Sequence, residues 1–167
     1  MSSRFSPKVN VVKMRGAKTI LAKLLATENI QIRHSVTAPT ASFDIEKRIL
    51  TLPVFKDMEA FLYDMLVGHE VGHSLWTLFD EWRDALKVEK INKGILNIVE
   101  DARIEKKIKR LYPGITRDFI RGYRDLVKRG FFGDVVFSEL NFIDRINLHF
   151  KCGDTAAIPF TSEERPY

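Results

Sequence analysis

Several absences narrow the field before any motif is read. Cysteine occurs once in 167 residues, as Cys152, so no intramolecular disulfide can form. Disulfide frameworks mark secreted domains, and a chain without one points to a reducing, cytoplasmic setting. No apolar run approaches the ~18 residues that span a bilayer, which excludes a membrane-spanning helix. Lysines interrupt every apolar segment near the N-terminus, which argues against a secretory signal. Acidic residues are missing before Glu28, whereas Arg4, Lys8, Lys13, Arg15, Lys18 and Lys23 all precede it. Organelle transit peptides share that bias, but the solvated basic face of a first helix accounts for it more simply. Internal repeats and low-complexity tracts are also absent.

What is present reads as a folded domain. At 45% hydrophobic and 29% charged residues the chain can bury a core, and its length favours one domain over 1–160. The net charge is +5. Its basic residues concentrate between Arg103 and Arg129, among acids and apolar stripes, which suits a solvated helix face better than a nucleic-acid patch. In the tail, 161–167, Thr161-Ser162-Glu163-Glu164 is a helix-start signature of the S/T-x-x-E type. A helix begun so near the end is expected either from a frayed tail or from a missing C-terminal regulatory domain.

Periodicity predicts a helix over 15–27, a short strand at 30–33, and a hairpin whose arms are 42–45 and 48–52. The strongest helix is expected from Asp57 to about Phe79, where Met58, Phe61, Leu62, Met65, Leu66, Leu75 and Trp76 keep a 3.6-residue rhythm. A further helix is expected over 88–111, with Ile91, Ile95, Ile98, Val99 and Ala102 as its apolar stripe and Pro113-Gly114 as its stop. Two more follow at 116–128 and 138–150. The fold class expected is α+β, mostly helical, with a small antiparallel sheet packed on the helix around residue 70.

That helix carries His69-Glu70-Val71-Gly72-His73, an H-E-x-x-H motif. Histidines four apart share a helix face, so both imidazoles can reach one ion. The rhythm puts them on or beside the buried stripe, where unpaired imidazoles are costly and a metal supplies a partner. Glu70 is then placed to act as general base on a metal-bound water. Gly68 precedes the motif and Gly72 lies within it, which implies close approach of another backbone or of substrate, or tight helix packing.

A catalytic zinc needs three protein ligands and an open position. No third histidine follows at the short spacing of the metzincins, which removes that class. His34, His149 and Cys152 are available, but Glu100 is the better candidate. It lies 27 residues after His73 on the next predicted helix, within Asn97-Ile98-Val99-Glu100-Asp101-Ala102-Arg103-Ile104-Glu105, and carboxylates in such apolar stretches are rarely buried alone. Asn97, Asp101, Arg103 and Glu105 are then supporting residues, with Asp101 able to accept the free N–H of a ligand histidine.

These two segments together resemble the gluzincin zinc metallopeptidases, and the E-D-x-R-x-E run is similar to phage and bacterial metallopeptidase domains that precede von Willebrand A-type domains. The resemblance implies a zincin-like fold, one Zn2+ held by His69, His73 and Glu100, and Glu70 as base. It implies an edge strand at Ser42, Phe43 and Asp44 that pairs with a protein or peptide substrate, and an endopeptidase activity. Ile104 stands where the thermolysin-type pattern carries aspartate, a departure. For the oxyanion the candidates are Tyr112, Tyr123, His149 and Arg103. Two other readings stand beside it. One is a catalytically silent, zinc-stabilised domain that binds a protein or nucleic acid. The other is a repressor-cleaving regulator of the ImmA/IrrE type, which the E-D-A-R-I-E run fits less well.

Overall fold

The first helix after the sheet, α1 (Ala60–Trp76), is apolar nearly all round, and that dictates the architecture. Leu62, Val67 and Val71 are fully buried although they point in different directions from the helix axis. Such a helix must be covered on several sides. The computed structural model describes residues 30–54, 58–133, 139–153 and 158–164. In it α1 is covered by a three-stranded sheet and by two later helices. The fold is α+β and mostly helical. The helix expected at 15–27 lies outside the described residues.

Strands β1 (Gln31–Ser35), β2 (Ser42–Asp44) and β3 (Ile49–Pro53) are arranged in the order β1-β3-β2. The expected hairpin forms: β2 pairs antiparallel to β3, with Phe43 opposite Leu50. β1 adds to β3 in parallel, so the sheet is mixed rather than purely antiparallel. The hairpin turn has no glycine. Asp44 Oδ1 accepts from the backbone N–H groups of Glu46 and Lys47 at 3.1 and 2.8 Å, and Arg48 takes the left-handed conformation at φ 56°. The Arg48 guanidinium lies 4.8 Å over the Phe43 ring and donates to the Ser74 carbonyl, which ties the turn to the end of α1.

The expected single helix from Asp57 to Phe79 is two helices. α1 stops at Trp76, and α2 (Phe79–Lys87) starts after a break at Thr77 and Leu78. Helix-end carbonyls need donors. Arg48 supplies one to Ser74, and Arg103 donates to the Trp76 carbonyl at 2.6 Å, so the chain can turn away there. α3 (Lys93–Leu111) begins where Asn92 accepts from the N–H of Gly94 and Ile95 at 2.8 and 3.3 Å. A short 3₁₀ turn, Pro113–Ile115, leads into α4 (Thr116–Lys128), and α5 (Phe142–Cys152) follows with Asn141 as its N-cap.

The burial of α3 differs from the expected apolar stripe. Ile95 and Val99 are exposed, and the buried residues are Glu100, Ile104, Glu105 and Ile108. Two of those are charged, and they can face inward because each has partners: Arg103 and Thr77 for Glu100, and His69, Tyr123 and Lys109 for Glu105. α4 packs on α1 through Phe119, Gly122, Tyr123 and Leu126, close enough that a Cβ on Gly122 would lie 2.9 Å from Met65 Cβ. α5 packs on both α3 and α4. The segment after α5 is held by Arg145, which pairs with Glu164, whose carboxylate accepts from the Thr161 N–H at 2.9 Å as the S/T-x-x-E pattern anticipates. Among the described residues no helix is long and apolar enough to cross a membrane.

Candidate metal centre

His69 and His73 stand one turn apart on α1, with ring centroids 5.0 Å apart. Their Nε2 atoms converge on one oxygen. Asp101 Oδ1 lies 3.6 Å from His69 Nε2 and 3.3 Å from His73 Nε2. Each ring is oriented by a hydrogen bond at its other nitrogen. His69 Nδ1 donates to Glu105 Oε1 at 3.0 Å, and His73 Nδ1 meets Thr77 Oγ1 at 3.0 Å. Glu105 also accepts from Tyr123 and, at 2.9 Å, from Lys109.

This donor set fits a zinc ion. Tetrahedral bonds of about 2.0–2.1 Å set neighbouring donors about 3.3 Å apart, close to the two Nε2–Oδ1 separations. Both nitrogens that face the carboxylate are free of other hydrogen-bond work, because the Nδ1 atoms carry it. The three donor atoms lie within 4.8 Å of one another, and they are the set of this kind found among the described residues.

Glu100, the expected third ligand, is not at the histidine pair. Its carboxylate is bound by Arg103, with Oε2 2.7 Å from Nε and Oε1 2.8 Å from Nη2, and it accepts from Thr77 Oγ1. Glu100 is thus linked to His73 through the Thr77 hydroxyl. Adjacent helical residues point about 100° apart, and α3 packs so that Asp101 and Glu105, four apart, face α1. Ile104 on the same face lies against Gly72, where an added Cβ would come within 2.9 Å of Ile104 Cδ1. The carboxylate that stands with the two histidines is that of Asp101, expected from the sequence as an acceptor behind a histidine. That acceptor role falls to Glu105 and Thr77 instead.

The pair and Asp101 open onto a cleft of about 510 Å³. Glu70, 6% exposed, borders the same cleft, as do Asn97, Ser42 and Phe43. Of the oxyanion candidates only Tyr123 borders it, and its hydroxyl is already engaged by Glu105. Arg103 is committed to Glu100, His149 packs on Phe160, and Tyr112 packs on the core. His34 bonds the Tyr63 hydroxyl at 2.7 Å. Asp44 is spent on the hairpin turn. The basic residues expected on a solvated face, among them Lys106, Lys107, Arg110, Arg117, Arg121, Arg124 and Lys128, are exposed. The cations that do border the cleft are Lys93 and Lys151, and sequence reasoning singled out neither.

The charges of the centre are shared tightly. Burial pushes the Glu70 carboxyl above its ordinary range, against the pull of the two histidines. Burial pulls the His69 imidazole down, but the Glu105 hydrogen bond and the carboxylates of Glu70 and Asp101 outweigh it and leave the ring raised. Burial raises Asp101, yet the hydrogen bond to His73 and the charges of His69 and Lys151 hold it well below the carboxylate range. Burial likewise opposes ionisation of Glu105, and its bond to His69 prevails.

No family model matches the chain, and no curated protein or solved structure matches it either.

Proposed function

We propose that the chain is a zinc-dependent peptidase of the H-E-x-x-H kind, with His69, His73 and Asp101 as the residues that would hold the ion and Glu70 as general base. The observation that carries this reading is the convergence of both Nε2 atoms on Asp101 Oδ1 in a cleft that Glu70 borders. A zinc ion bound there would act as a Lewis acid toward a scissile carbonyl and ease deprotonation of the attacking water. Glu70 takes that proton and returns it to the leaving amine. Its burial suits the task, because a carboxyl raised above its ordinary range is a stronger base than a solvated one.

A peptide substrate is supported by β2. Among the described residues it lies at the edge of the sheet, pairs only with β3, and brings Ser42 and Phe43 to the cleft. An extended chain can add to such an edge and so lie across the histidines. The gluzincin resemblance supports the class of reaction, while Asp101 in place of Glu100 departs from its ligand set.

The test combines metal analysis with one isosteric substitution. The purified protein is expected to bind one zinc per chain and to cleave unstructured protein. Glu70→Gln is expected to keep the zinc and lose cleavage by about 10²–10⁴-fold. Cleavage by Glu70→Gln at the wild-type rate, with zinc bound, overturns the assignment.

A further inference from the structure

The two carboxylates beside the histidine pair are built alike. Glu105 gives Oε1 to His69 Nδ1 and Oε2 to Lys109 Nζ at 2.9 Å. Asp101 gives Oδ1 to the two Nε2 atoms and Oδ2 to Lys151 Nζ at 2.9 Å. Each acid thus turns one oxygen to a histidine and has the other taken by a lysine. Lys151 comes from α5, fifty residues along the chain, and its side chain is 15% exposed. Its ammonium lies 5.8 Å from the centre of the buried Tyr123 ring, which restricts where it can go.

We infer that Lys151 is a positioning residue that makes Asp101 a one-oxygen donor and thereby keeps a coordination position open for substrate. The inference rests on the zinc reading above. A free aspartate beside a divalent ion can offer both oxygens. With Oδ2 held by an ammonium, only Oδ1 is available, and the centre has three single-atom donors. A catalytic site keeps a fourth position open, whereas a closed one is structural. Lys151 also offsets one of the three carboxylate charges, Glu70, Asp101 and Glu105, gathered around two histidines. Helix α5 is by this contact part of the centre.

The experiment uses Co(II) as probe on the full chain, wild type, Lys151→Met and Lys151→Arg. The visible Co(II) spectrum reports coordination number and geometry independently of turnover. Wild type is expected to show a strong four-coordinate band at one ion per chain. Lys151→Met is expected to bind the ion but to weaken that band as Asp101 adds its second oxygen. Its kcat on a peptide substrate, measured with zinc, is expected to fall about 10–100-fold with KM little changed. Lys151→Arg, which also donates to Oδ2, is expected to restore the band. A Lys151→Met band identical to wild type overturns the inference and leaves the zinc reading standing. So does a loss of helicity in both variants with the wild-type band kept in the folded fraction, since that marks a packing role alone. A wild type that binds no Co(II) at this centre removes the zinc reading itself, and this inference with it.

Discussion

Gly72 sets the distance between α1 and α3, so Gly72→Ala tests whether that distance positions the centre. A Cβ at residue 72 would stand 2.9 Å from Ile104 Cδ1 and 3.3 Å from Ile104 Cβ. Ordinary carbon–carbon contact is about 3.5–4.0 Å, so the methyl end must yield by roughly 0.6–1.1 Å. Ile104 is fully buried, so any shift of its side chain presses on its own neighbours. Overpacking of this size costs about 1–3 kcal/mol, and replacing a mid-helix glycine with alanine returns about 1 kcal/mol. The net loss of stability is therefore about 0–2 kcal/mol. The effect on the centre is expected to be larger than that number implies. Ile104 lies between Asp101 and Glu105 on α3, so relief of the clash moves both carboxylates away from His69 and His73. Displacement of about 1 Å at a positioned group can cost about 10²-fold in rate. Zinc affinity, read by competition with a chromogenic chelator, is expected to drop about 10-fold or more while urea unfolding stays cooperative. Gly72→Ala/Ile104→Val, which removes the clashing Cδ1, is expected to recover most of the affinity. If Gly72→Ala gains the full helix-propensity increment and binds zinc as wild type does, the spacing argument is wrong.

Two further outcomes separate the parts of the centre. Asp101→Asn is expected to abolish stoichiometric zinc binding, whereas Glu100→Gln keeps the ion and loses about 10–100-fold in affinity or activity through Thr77, both read by metal analysis after gel filtration. The reverse order would restore Glu100 as the third ligand. The second outcome concerns pH. His69 is raised in the folded protein, so its contribution to the stability of metal-free protein is complete below the unfolded value of about 6.5 and is lost as pH rises through the folded value. Zinc takes only the neutral ring, so it must displace that proton at lower pH. The gain in Tm at a fixed zinc excess is thus expected to grow from about pH 6 to about pH 8, measured by thermal melts with and without the metal. An equal gain at both values would refute the linkage.

Local rules made much of this protein legible from sequence. The i, i+4 spacing of His69 and His73 decides by itself that both rings share a face. The alternation either side of Glu46-Lys47 marked the hairpin, Pro113-Gly114 marked the end of α3, and the periodicity anticipated the span Thr116–Lys128 of α4. The choice among the carboxylates of α3 was not local. Glu100 and Asp101 are neighbours about 100° apart on one helix, and nothing in the helix itself says which side faces α1. An apolar stripe through Ile95 and Val99 pointed the wrong way, because those residues are exposed and the buried side carries charge. The packing of Ile104 on Gly72 selects that side, and the partners waiting on α1 make burial of Asp101 and Glu105 tolerable. Lys151 and Thr77 belong to the same category. Each reaches the centre by a route that only the folded chain provides, one from a helix fifty residues away and the other from the break that ends α1. Sequence determined that two histidines and a glutamate would stand together. Tertiary packing decided which acid stands beside them, because a helix fixes angles within itself but not its rotation against a neighbour.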